Sequence, residues 1–130
     1  LGGALAYAQF GTLDRLLGSD PAADEEAPIE YGEFKEITGL IVNPAGTGGS
    51  RYLMVSVGFE SASADPLAEI EEKNVVVRDT VIALLSAHSV EALTDYARRD
   101  GLKAEIRTAV NSILRRGEID RLYFTQYILQ

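Results

Sequence analysis

Several stretches of this sequence carry residue types that could do chemistry. His88, the single histidine, stands between Ser86 and Ser89, and a hydroxyl worked by an imidazole base is the apparatus of acyl transfer. That apparatus needs the two side chains to face one another, and close neighbours on a helix end do not. His88 therefore reads as a partly exposed helix-terminal residue, where a positive charge is tolerated. The run PAGTGG over Pro44–Gly49 has the glycines of a phosphate-cradling loop. A phosphate loop continues through Gly-Lys-Ser/Thr into a helix, whereas this run passes through Ser50 and Arg51 into an alternating segment, so it reads as a turn. Carboxylates gather at Asp24–Glu26 and at Glu69–Glu72. The first group suits a solvated spacer and the second the positive end of a helix dipole. Asp79 and Asp120 lie closer to apolar segments, and Arg78–Asp79 reads as a local salt bridge before a buried or interfacial pair. G-x-S-x-G, H-E-x-x-H and EF-hand patterns do not occur. No catalytic, cofactor-binding or metal-binding residue is assigned.

Composition narrows the classes further. The 130 residues suit one domain with a sizeable core. Twelve basic against twenty acidic residues leave a net charge of −8, which argues against a nucleic-acid partner. Arg98–Arg99 and Arg115–Arg116 are isolated pairs on helix surfaces. With no cysteine, neither a disulfide framework nor a thiolate metal site is possible.

The elements that position these residues follow from periodicity. Leu1–Phe10 is uncharged and largely apolar, too short to cross a bilayer, which needs ~20 residues. It reads as the outer end of a membrane span, or equally as a cut-off linker or short surface helix in a processed or truncated chain. Leu13, Leu16 and Leu17 sit at helical spacing and precede a Pro-, Ala- and acid-rich linker that ends near Pro28, so the folded domain begins close to Ile29. Tyr31–Asn43 and Arg51–Glu60 form an antiparallel hairpin around the glycine turn, with a bulge hinted at by Gly39. Asp65-Pro66 starts a helix with Asp65 as N-cap. Leu67, Ile70, Val77, Val81, Leu84 and Leu85 make its stripe, with a kink or restart near Asn74 and an end near His88. Ser89 caps a short helix that Gly101 interrupts, and Leu102–Ile113 form a further helix with Gly117 as its C′ residue.

The last segment, Gly117–Gln130, alternates Leu122, Phe124 and Ile128 with Tyr123, Tyr127 and Leu129. Apolar rows on both sides predict a central strand covered on both faces. The order strand, strand, helices, strand predicts an α+β domain: a small antiparallel-type sheet, hairpin plus C-terminal strand, packed with two to three helices. One layer of helices leaves a sheet face to be covered by another subunit.

RYLMVSVGFE, VRDTVIALLS and GLKAEIRTAVNSILRRGEID with LYFTQYILQ resemble, in this order, the extracytoplasmic domain of the flagellar basal body-associated protein FliL family. Arg78, Asp79, Leu84, Leu85, Ser86, Gly101, Leu102, Glu105, Ile106, Asn111, Leu114, Gly117, Tyr123, Phe124, Thr125 and Gln130 stand where that pattern has them. Tyr127 replaces a usual phenylalanine, and Val76 a common proline. The resemblance implies a single-pass inner-membrane protein whose domain, similar to the stomatin/prohibitin (SPFH) type, lies in the periplasm. It implies a non-enzymatic role, self-assembly into a ring, and association with MotA–MotB-type stator units in support of torque and motility. Residues 1–10 become the outer end of the span, 11–28 the juxtamembrane helix and acidic linker, and 29–130 the domain. Leu13, Leu16 and Leu17 become candidate stator contacts. Arg78, Asp79, Asn111, Tyr123, Phe124 and Tyr127 become a subunit-contact or core signature. The competing readings are a membrane-proximal scaffold or lipid- or ligand-binding module unrelated to the flagellum, and a small hydrolase built on carboxylates.

Overall fold

The chain divides into two units, Leu1–Glu30 and Tyr31–Gln130. The computed structural model describes residues 28–130. The span end expected over residues 1–10 and, except for Pro28, the juxtamembrane segment expected over residues 11–28, with Leu13, Leu16 and Leu17, lie outside the described residues.

Strands β1 (Glu33–Val42) and β2 (Leu53–Ser61) form the expected antiparallel hairpin. The register shifts between Ile37 and Leu40, and Gly39 takes φ 73°. This is the bulge its glycine suggested, since only glycine adopts that conformation freely. The extra residue keeps Ile37 and Leu40, three positions apart, both in the core at 3% and 0% exposure.

Strand β3 (Arg121–Leu129) pairs antiparallel with β2, so the sheet order is β1-β2-β3. The C-terminal strand is therefore an edge strand, not the expected central one. The centre belongs to β2, which is buried on both rows. Leu53, Val55, Val57 and Phe59 face the helices, while the small Ser56 and Gly58 on the other row let neighbouring side chains close over them. The two apolar rows of β3 have a local cause. Its register shifts between Ser56 and Val57, which pair with Gln126 and Phe124, leaving Thr125 as an extra residue. That bulge reverses the alternation. Leu122 and Phe124 before it, and Tyr127 and Leu129 after it, all pack against the core. Tyr123 and Ile128 take the opposite face, so strict alternation assigns Tyr127, Leu129 and Ile128 to the wrong rows.

Helices α1 (Ala64–Glu72), α2 (Asn74–Ser86), α3 (Val90–Thr94) and α4 (Arg99–Ile113) pack on one face of the sheet. Their stripes, Leu67 and Ile70, then Val77, Val81 and Leu85, then Leu102, Ile106 and Val110, meet Phe59 and its row. The α+β class is as expected, and the first helical pattern does restart at Asn74, so α1 and α2 are separate helices. Ser63, not Asp65, caps α1: its hydroxyl accepts from Asp65 N at 3.2 Å. Ser89 caps α3 as expected, accepting from Ala92 N. Gly101 breaks nothing, because α4 begins two residues earlier, after a 3-10 turn at Tyr96–Arg98. Gly117 lies beyond the helix cap at Leu114, with φ 124°. A Cβ there would stand 3.1 Å from the Pro66 ring, so this glycine lets the turn lie on α1. Among the described residues no helix is long and apolar enough to cross a membrane.

Candidate functional site: the open sheet face and its edges

Among the described residues no helix covers the second face of the sheet. Phe34, Ile41 and Ile128 stand on it, 58%, 48% and 42% exposed, with Tyr31 at its margin. Along one end, Tyr31 and Phe34 stack with ring centroids 6.2 Å apart, and Phe34 and Tyr123 at 6.1 Å. With Glu36, Gly58 and Thr125 these rings line an open groove of about 470 Å³. The Thr125 hydroxyl donates to the Glu36 carboxylate across it.

Glu60 organises that end. It is 1% exposed and accepts from Arg121 Nε at 2.7 Å, Arg121 Nη2 at 3.0 Å, Tyr123 Oη at 2.6 Å and Gly32 N at 2.7 Å. The Arg121 guanidinium, then the Tyr123 hydroxyl, hold its pKa at about 2 against an ordinary 4.5. A carboxylate so fully engaged is ionised and has no proton to give, so it is a structural anion. Its pull raises the Tyr123 pKa in turn. Gly32 must be glycine here, because a Cβ would lie 2.2 Å from Ser61 O.

A second buried carboxylate fastens the helical layer. Glu69, 2% exposed, accepts from Lys73 Nζ at 2.7 Å, from Arg115 N at 2.8 and 2.9 Å and from Arg116 N at 2.8 Å. Lys73 chiefly, with the two backbone donors, lowers its pKa to about 2. Glu69 thus ties the turn after α4 to α1, where charge clustering suggested only a dipole partner. The available signal was its place on the buried stripe with Pro66, Leu67 and Ile70. Glu60 had no comparable signal, because its partners lie 28 to 63 residues away.

The signature residues do not converge on one site. Arg78 Nη1 donates to Thr38 O at the β1 bulge at 3.2 Å. Asp79 is exposed, and among the described residues no ion pair joins it to Arg78. Asn111 brackets Ile119, donating to its carbonyl at 3.2 Å and accepting from its N–H at 2.7 Å. Phe124 packs on Tyr127, ring centroids 4.9 Å apart. Tyr127 donates to Leu93 O at 2.6 Å beneath the Arg99 guanidinium, 3.9 Å from its ring centre. Burial pushes its phenol pKa up.

The chemistry-bearing stretches are accounted for. His88 Nε2 meets Glu105 at 3.1 Å. Ser86 donates to Ala83 O and Ser89 caps α3, so neither hydroxyl meets the imidazole. Gly46, Gly48 and Gly49 take φ of 82°, 62° and 84° in a turn closed by Thr47 Oγ1 on Pro44 O. Among the described residues no cluster of histidine and carboxylates is arranged to hold a metal ion.

Residues 34–130 match the family model of the flagellar basal body-associated protein FliL. Flagellar protein FliL of Aquifex aeolicus is 31% identical over 109 residues, covering 83% of this chain and 68% of that protein. Flagellar protein FliL of Bacillus subtilis is 26% identical over 128 residues, covering 98% of this chain and 86% of that protein. This is a flagellar accessory family, not a family of enzymes, and the two buried carboxylates are engaged as structural anions. The chain belongs to the FliL family of flagellar basal body-associated proteins.

Proposed function

We propose that this chain self-assembles, as a ring, around the stator units of the flagellar motor and supports torque. In this reading the span ends within residues 1–10 in the inner membrane, and the domain from residue 29 stands in the periplasm beside a MotA–MotB-type stator complex. The observation that carries self-assembly is the sheet face that the described residues leave uncovered, with Phe34, Ile41 and Ile128 exposed in a domain whose other face is packed by helices. Family membership supplies the flagellar setting. A lipid-binding role has only the Phe34–Tyr123 groove in its favour, and Tyr31 and Phe34, its walls, are more than half exposed. Such walls suit a protein surface better than an enclosed acyl chain.

The test is the mass of the full-length protein in nanodiscs with and without its stator. Self-association that becomes a stator-bound ring is expected; a protein that stays monomeric with the stator present would overturn the proposal. Leu16→Glu with Leu17→Glu should abolish stator association and swimming while the domain still folds. Unchanged swimming would remove these leucines from the contact.

A further inference from the structure

The sheet has two unpaired edges among the described residues, and they match one another. Among the described residues no backbone hydrogen bond reaches the outer side of β1 or β3. Unpaired strand edges are templates for another strand, and proteins blunt them with bulges and charges. Both are present here, but in complementary positions. The bulges of β1 and β3 fall at the same level, opposite Ser56 of β2. Phe34 and Arg121 both pair with Glu60, while Ile41 and Ile128 both pair with Met54. Each edge therefore spends the same number of residues between these two levels and bends at the same point. A β1 laid beside β3 stays in register along its length.

One charged pair also fits the same join. On the helix side of β3, α4 presents Arg99, Lys103 and Arg107 at successive fourth positions, one row of a helix face. Among the described residues none of the three has a carboxylate partner. Arg107 Nη1 reaches Asp120 O, at the foot of β3. Lys103, Arg107, Asp100, Asp120 and Arg121 line the groove there. On β1, Glu33 is exposed and shares the helix side with Lys35, which pairs with Glu71. Glu33 pairs with Ser61, one level beyond the Glu60–Arg121 pair, so in a continued sheet it arrives at the Asp120 level, beside Arg107.

We infer that the β1 edge of one copy pairs with the β3 edge of the next, parallel and in register, with Glu33 facing Arg107 and Ile41 beside Ile128. This rests on the self-assembly proposed above and places a contact at the strand edges, with the open face engaged only where Ile41 meets Ile128. Because the joined surfaces differ, the contact is heterologous and repeats head to tail, which closes into a ring when the rotation per copy permits. The outer faces of successive copies then form one continuous sheet surface.

A cysteine pair decides the matter in a chain that has no cysteine. Within one chain Ile41 and Ile128 are separated by β2, about 10 Å apart at two strand spacings, beyond the ~7 Å that a disulfide can bridge. Full-length Ile41→Cys and Ile128→Cys proteins, mixed in membranes and oxidised, should cross-link to each other and not to themselves. The double variant should give a ladder of multimers. Glu33→Arg or Arg107→Glu alone should weaken self-association roughly threefold to fivefold, and mixing the two should recover it. Both cysteine sites are exposed, so unchanged melting shows the fold intact. If the wild type self-associates but the mixture fails to cross-link, or if either single variant cross-links to itself, the edge pairing is wrong and the ring must use another surface. If the full-length protein never self-associates, ring and edge pairing fall together.

Discussion

Asn111→Ala tests how the turn between α4 and β3 is held. Ile119 is 1% exposed, so its N–H and C=O are withdrawn from bulk water and need partners. The carboxamide serves both, at 2.7 and 3.2 Å. Each such bond contributes about 1 kcal/mol net, so alanine should cost about 2 kcal/mol. For a unit of this size that is a fall in Tm of about 8–16 °C, read by thermal circular dichroism. Asn111→Asp separates the two bonds. Its carboxylate still accepts from the Ile119 N–H but opposes the carbonyl, so it should be destabilised at neutral pH. Protonation restores a donor, so its deficit against the wild type should shrink as pH falls. If Asn111→Ala melts within about 2 °C of the wild type, water replaces the carboxamide and the reasoning fails.

Other perturbations probe the remaining supports. Glu60 and Glu69 have folded pKa values held at about 2 against an ordinary 4.5. Depressed values contribute stability that is full above the unfolded pKa and is lost as pH falls from about 4.5 to about 2. Acid titration of Tm should show that limb, and Glu60→Gln with Glu69→Gln should flatten it while lowering stability at neutral pH. Phe59→Ala, at a fully buried position, should cost about 3–5 kcal/mol in chemical denaturation, a large fraction of a typical domain's stability. Gly39→Ala meets no atom but keeps φ 73°, so it should cost about 1–2 kcal/mol from backbone strain alone. Deleting Tyr127–Gln130 removes Tyr127 and Leu129 from the core and the Gln130–Tyr52 backbone pair. It should leave no cooperative melting transition; a well-folded but inactive truncation would show the strand's role to be functional instead.

Much of this molecule is legible along the chain because the signals are local. Alternation around the glycine turn defines the hairpin, Gly39 marks its bulge, Ser89 caps its helix, and the 3.6-residue stripes identify the buried helix faces. The family resemblance was likewise carried by short segments in order. The candidate surface was legible only as a surplus: apolar rows on the last strand, with one layer of helices to cover them.

What the sequence determined by itself is the α+β class and the place of each element along the chain, because periodicity, turn residues and side-chain type act within a few residues. Only the tertiary structure decided the sheet order. β2 takes the centre, pairing with β1 on one side and β3 on the other, and the strand expected there became an edge. Thr125, an ordinary strand residue in sequence, moves Tyr127 and Leu129 into the core by opposing no partner of its own. Glu60 and Glu69 became structural anions only when distant donors closed on them. Pairing and burial are properties of what stands opposite, and nothing local to a residue records its opposite number.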